Sequence, residues 1–140
     1  MGEEKFSFED LEVWKEAIDF ADQCLNVVDK IGTVGRKHFR LIEQVESAAS
    51  SPALNIAEGK GRYSKKEFTQ FLYSARGSLF ETITLLELFR RREWIKDVDF
   101  LEIKKSAIQL AKKINSLIKF LKKSYSYGPS NKLRSMSHEP

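Results

Sequence analysis

The sequence predicts an all-α fold, an antiparallel up-down-up-down bundle of four helices. Three observations predict it. Four separate stretches repeat apolar residues at alternating steps of three and four, which marks a helix with one buried face. Only three prolines and seven glycines interrupt 140 residues. No segment alternates apolar and polar residues over the length of a strand. Amphipathic helices of this kind, joined by short loops, favour that topology, with crossing angles of about 20°.

The first helix is expected over about 7–31. Ser7 is placed to cap it, with Asp10 at the third position and Phe6 and Leu11 set for a hydrophobic staple. Leu11, Trp14, Ile18, Ala21, Leu25 and Val28 form its stripe, and Gly32 and Gly35 lie beyond its end. The second helix is expected over about 37–59, with Ile42, Val45, Ala49, Pro52 and Ile56 on one face. Pro52 lacks an N–H and crowds the carbonyl of Ala48, so a kink is expected there. The run Ser47-Ala48-Ala49-Ser50-Ser51 is small enough to let a neighbouring helix come close.

The third helix is expected over about 64–93. Ser64 and Glu67 form a capping-box pattern, with Tyr63 and Phe68 as its staple. Its stripe is Phe68, Leu72, Ala75, Leu79, Ile83 and Leu86, while Tyr73, Phe80 and Leu88 lie well off it. Such a wide apolar arc suits either a helix with two neighbours or an oligomer contact. The fourth helix is expected over about 99–126, with Ile103, Ala107, Leu110, Ile114, Leu117 and Leu121 inward. One domain over 1–127 and a disordered tail over 128–140 complete the expectation.

Charge is unevenly spread. Residues 1–60 hold 7 Lys/Arg against 12 Asp/Glu, whereas 61–140 hold 17 against 8. On the fourth helix, Lys105, Lys112, Lys119 and Lys123 project opposite the apolar stripe, and seven lysines and no acid lie between Ile103 and Tyr125. A solvated helix face is a common explanation, but most such faces mix signs; a one-signed stripe attracts a phosphate backbone. Arg90, Arg91 and Arg92 form a second cluster, whose cations also suit a helix C-terminus.

No apolar run is long enough for a membrane span. The acidic start Met1-Gly2-Glu3-Glu4 leads into no apolar stretch, which argues against a signal peptide. Phe6 occupies the position where myristoylation requires Ser or Thr. A lone Cys24 fits a reducing, cytoplasmic setting.

Catalysis, a metal and a cofactor are not expected. The histidines are His38 and His138. Arg134 and His138 are separated by three residues, too few for the Arg-spacer-His pattern of HEPN-type ribonucleases. The first helix carries Glu9, Glu12, Glu16 and Asp19, but no Glu-x-x-His pair exists to build a di-iron site.

One segment is more specific than periodicity: Asn55-Ile56-Ala57-Glu58-Gly59-Lys60-Gly61-Arg62-Tyr63-Ser64, continuing through Glu67-Phe68, Phe71-Leu72, Ala75, Gly77-Ser78 and Glu81. With Phe8-Glu9-Asp10-Leu11 and Val13-Trp14 near the start, it resembles the bacterial 23S rRNA intervening-sequence proteins, also called the four-helix bundle protein family, over about Phe6 to Tyr125. These are similar to the accessory variability proteins of diversity-generating retroelements. The resemblance implies a barrel-like homopentamer and no established enzymatic activity, and the retroelement relatives bind nucleic acid and a reverse transcriptase. Two departures stand out. Family members tend to carry basic residues before the paired alanines, where Glu46-Ser47 stand here, which weakens nucleic-acid contact at that point. Their proline falls two residues before the Asn, whereas Pro52 falls three before Asn55.

The motif has an architectural reading. Gly59 and Gly61 would take positive φ in a sharp turn, Ser64 and Glu67 would cap the third helix, Glu58 and Arg62 would pair, and Asn55 would bond the loop. Gly77, inside the third helix, would mark a close helix crossing. The functional reading has Lys60, Arg62, Lys65 and Lys66 holding an anion beside the third helix's N-terminus. Two functions stay open. The leading one is a homo-oligomeric accessory protein that binds RNA or DNA backbone. The other is a scaffold that docks an acidic protein, such as a reverse transcriptase, or its own neighbour.

Overall fold

Four faces patterned for burial meet in one core. A computed structural model describes residues 2–126, and the expected tail over 128–140 lies outside the described residues. All regular structure described is helical: a 3-10 turn Ser7–Asp10, then α1 Glu12–Asp29, α2 Val34–Lys37, α3 Phe39–Lys60, α4 Lys65–Arg91 and α5 Asp97–Ser126. The short α2 is one turn; His38, with φ −118°, separates it from α3 and stacks on Trp94 at 4.7 Å.

The entry to α1 is tighter than the sequence suggests. Ser7 does not cap it. Instead the Glu9 carboxylate accepts the Phe6 N–H at 2.8 Å, and residues 7–10 close as 3-10 bonds before α1 begins. Phe6 stays exposed and stacks on Phe8 rather than stapling to Leu11. At α4 the cap is as expected, with Ser64 Oγ accepting the Glu67 N–H at 3.1 Å. Tyr63 is fully solvent-exposed, so no staple forms there.

The end of α4 comes from a residue that composition would not suggest. Glu93 adopts φ 60°. Its N–H bonds the Arg90 carbonyl and the Trp94 N–H bonds the Phe89 carbonyl, both at 2.9 Å. This is the Schellman pattern, completed by the Phe89–Trp94 ring contact at 5.0 Å. A non-glycine residue there costs about 1 kcal/mol, which the ring contact and the two carbonyl bonds offset.

Each long helix touches two others: α1 lies on α3 and α5, and α4 lies on α3 and α5. Cross-helix pairs set the alignment. Gln44 meets Glu81, Ser51 meets Ser78, Tyr73 meets Lys122, Arg76 meets Asn115 and Glu16 meets Lys113. The small stretch of α3 does what its size permits: Ala48 and Ala49 are buried, and Ser78 Oγ reaches Ser51 Oγ at 2.7 Å. Phe20, Phe89 and Phe100 are fully buried, each contributing about 1.5–3 kcal/mol by burial. On α5, Ile103, Leu110 and Ile114 lie inward as expected.

The buried face of α1 overlaps the expected one only toward its C-terminal half. Ala21 and Val28 of the expected stripe are buried, but so are Val13, Ala17, Phe20, Cys24 and Val27, whereas Ile18 is 42% exposed and Leu11, Trp14 and Leu25 sit at the edge. Both sets have three-four spacing, so periodicity alone does not choose between them. Helix α3 runs through Pro52 without a break in helical structure.

The glycines differ from expectation too. No glycine described has positive φ, Gly59 lies inside α3 and Gly61 has φ −79°. Gly59 is required for contact instead: an added Cβ would lie 2.7 Å from Phe71 Cβ and 2.9 Å from a Phe68 ring carbon. Gly77 is not at a crossing, because a Cβ there would meet nothing within 4 Å. Gly77→Ala should therefore stabilise the fold by about 0.5–1 kcal/mol through helix propensity alone. A lowered urea midpoint for this variant would show that Gly77 makes a contact outside the protomer.

Candidate nucleic-acid interface

The basic residues singled out by sequence fall into three places. Lys60, Arg62, Lys65 and Lys66 surround the α3–α4 turn, Arg90, Arg91 and Arg92 close the other end of α4, and Lys105, Lys112, Lys119 and Lys123 run along α5. Because Tyr73 meets Lys122 while the end of α4 meets the start of α5, the α5 row joins the two ends. From Lys105 to Lys123 is about 27 Å of helix.

These cations differ in what already holds them. Arg62 is bound to Glu58 at 2.7 Å and lies over Phe71 at 4.8 Å, so it braces the turn. Asn55 does not reach the loop; its amide donates to the Ser51 carbonyl and hydroxyl within α3. Arg90 binds Glu87 through two nitrogens at 2.8 and 2.9 Å and covers Phe100 at 4.7 Å. That bond to Arg90 is the main reason the Glu87 pKa lies below the ordinary carboxylate value. Arg91 approaches the same carboxylate, and Arg92 lies 6.0 Å from the Trp94 ring. Arg90 is thus held within the protomer, whereas the Arg91 side chain stays 77% exposed.

The lysines behave otherwise. Lys60, Lys65, Lys66, Lys105, Lys112, Lys119 and Lys123 are exposed and enter no ion pair among the described residues. On α5 the acids of α1 take only Lys113, which lies 2.8 Å from Glu16 and 3.6 Å from Glu12. Its pKa is raised chiefly by the Glu16 bond. An exposed ammonium without a partner keeps its full charge for an incoming anion.

Sequence reasoning missed part of this surface. Arg76 Nη1 donates to Asn115 Oδ1 at 2.8 Å and sits over the Tyr73 ring at 5.0 Å. Lys122 donates to the Tyr73 hydroxyl at 3.1 Å, a bond that raises its pKa. Both cations are held by neutral partners, which fix their positions without cancelling charge. The available signal was the antiparallel expectation itself, which sets Tyr73 of α4 against the end of α5.

Burial pushes the Cys24 thiol up to about 12, so it stays protonated. His38 is stacked on Trp94 beside the α2–α3 break. No group of three or more His, Cys, Asp or Glu among the described residues is placed to hold a metal. Among them, no helix is long and apolar enough to cross a membrane.

The family model described as 23S rRNA-intervening sequence protein matches residues 9–116. A solved Bacteroides thetaiotaomicron protein of unknown function, from the S23 ribosomal protein family, is 26% identical, with a TM-score of 0.70. That likeness covers 76% of this chain and 98% of the other. No curated protein matches the chain. The matched span holds α1, α3, α4 and most of α5, with the motif from Asn55 to Ser64 inside it, and the chain belongs to the 23S rRNA-intervening sequence protein family.

Proposed function

We propose that this protein is a non-catalytic, homo-oligomeric accessory protein of the cytoplasm that binds nucleic-acid backbone, RNA in preference, through the outer face of α5. The observation that carries the reading is the row Lys105, Lys112, Lys119 and Lys123, one-signed, exposed and without acidic partners among the described residues. The family's name, which refers to a 23S rRNA insertion, favours RNA. The cross-helix pairs favour an antiparallel up-down-up-down protomer. In a barrel-like ring, pentameric by resemblance to the family, the lysine row repeats around the assembly and modest contacts add by avidity.

Binding of this kind reads charge rather than sequence. The test is equilibrium binding to mixed RNA and DNA at about 50 mM salt, repeated at about 200 mM. Four phosphate contacts predict a slope near −3 in log affinity against log salt, roughly a 50-fold loss between the two conditions. No detectable binding at the lower salt would refute the proposal. The competing reading, a scaffold for an acidic partner such as a reverse transcriptase, draws on the same charge.

A further inference from the structure

Beside the lysine row, α4 and α5 leave an apolar groove of about 290 Å³. Its floor is Leu79, Ile83, Ala107 and Ala111, and its rims are Phe80 on α4 and Ile108 on α5. Phe80 is 58% exposed and Ile108 48% exposed, large side chains left in water although both helices have a full core face. Thr84 and Lys104 close one end. Lys105 and Lys112 stand one helical turn before and after Ile108, about 5 Å away along the axis. Toward the other end, Arg76 and Lys122 are fixed around Tyr73 by neutral partners. Glu87, the acid near Lys104, is already taken by Arg90 and Arg91.

An apolar slot bordered by uncompensated cations does not fit every anion. A duplex shows phosphates outward and keeps its bases stacked inside, so the slot would give it nothing. A protein partner with an acidic face would complement the cations, but a single strand offers phosphate and a flat apolar ring in every residue. We infer that the α4–α5 groove takes an unstacked base of single-stranded nucleic acid, with Phe80 as the stacking platform and Lys105 and Lys112 on the flanking phosphates. The inference rests on the backbone-binding reading above and narrows its ligand to a single strand. The groove volume suits it, lying at the small end of the roughly 300–1,000 Å³ of small-ligand pockets, a space for one ring system. Stacking of a base on an aromatic side chain is tolerant of sequence, which agrees with a surface that has no base-reading pattern.

The test uses the full chain and three probes of about 20 nucleotides: a mixed-sequence single-stranded RNA, its perfect duplex, and an abasic strand with the same phosphates. All are measured at one salt concentration, together with the oligomeric state. The expected result is about tenfold tighter binding to the single strand than to the duplex or the abasic strand. Phe80→Ala should bring the single strand down to the abasic level and leave duplex binding unchanged, and Phe80→Trp should restore the preference. Because Phe80 is exposed, the alanine variant should keep its thermal midpoint. Equal binding of all three probes would overturn the inference while leaving backbone binding intact. No binding of any probe would overturn both. A Phe80→Ala protein that bound every probe as before but lost its oligomeric state would show that the groove seats a second copy instead.

Discussion

Gly59→Ala should destabilise the protein by about 2 kcal/mol, a Tm drop of roughly 6–10 °C, although alanine is the better helix former. Propensity alone predicts the opposite sign, a gain of about 0.5–1 kcal/mol. Geometry decides. Gly59 sits within α3 where the first turns of α4 come closest, and the new methyl would stand 2.7 Å from Phe71 Cβ and 2.9 Å from the Phe68 ring. Phe71 Cβ is attached directly to the backbone, so no rotamer change moves it away, and α3 and α4 must separate. Separation loosens the buried packing of Phe68, Leu72 and Ile56 near the turn. Thermal unfolding of Gly59→Ala beside Gly77→Ala gives opposite shifts if this account is right. A Gly59→Ala protein as stable as the parent would show that the helices tolerate the gap the methyl demands.

That pair of glycines shows where the sequence is readable and where it is not. Both looked like conformational or packing glycines from their setting. Only the packing of α3 on α4 shows that one lies against two phenylalanine side chains and the other faces open space. Features set within one helical turn were legible. Ser64 caps α4, Glu58 pairs with Arg62, and the α5 lysines lie outward, because each depends on spacing along a single helix. Features set between helices were not. The burial of Val13, Ala17 and Phe20 on α1 depends on which neighbours flank it, and two three-four stripes fit the sequence equally. The stop at Glu93 depends on Trp94 folding back on Phe89, which no local pattern announces. The same holds for the site. The lysine row was visible, but Arg76, Tyr73 and Lys122 come together only once α4 lies along α5.

Simultaneous reversal of Lys105, Lys112 and Lys119 to Glu should have the largest effect on binding. Each lysine removed takes away one counterion-releasing phosphate contact, and each glutamate adds repulsion. Among the described residues none of the three is ion-paired, and none is buried, so the fold has little to lose. The α1 contact through Lys113 to Glu16 is untouched. At about 50 mM salt the expected loss of RNA affinity is roughly 100- to 1,000-fold, with the salt slope reduced by about 2–3. Light scattering on the same samples separates the two readings of the basic face. Subunits that fall apart into 16.2 kDa chains would assign these lysines to pairing between copies.

The most direct measurement of the central claim is therefore RNA affinity of the triple variant against the parent, at one low salt concentration and with assembly size recorded. The account predicts that binding collapses while the assembly and its thermal midpoint hold. Unchanged affinity would contradict it, because the α5 row would then not be where the phosphates lie.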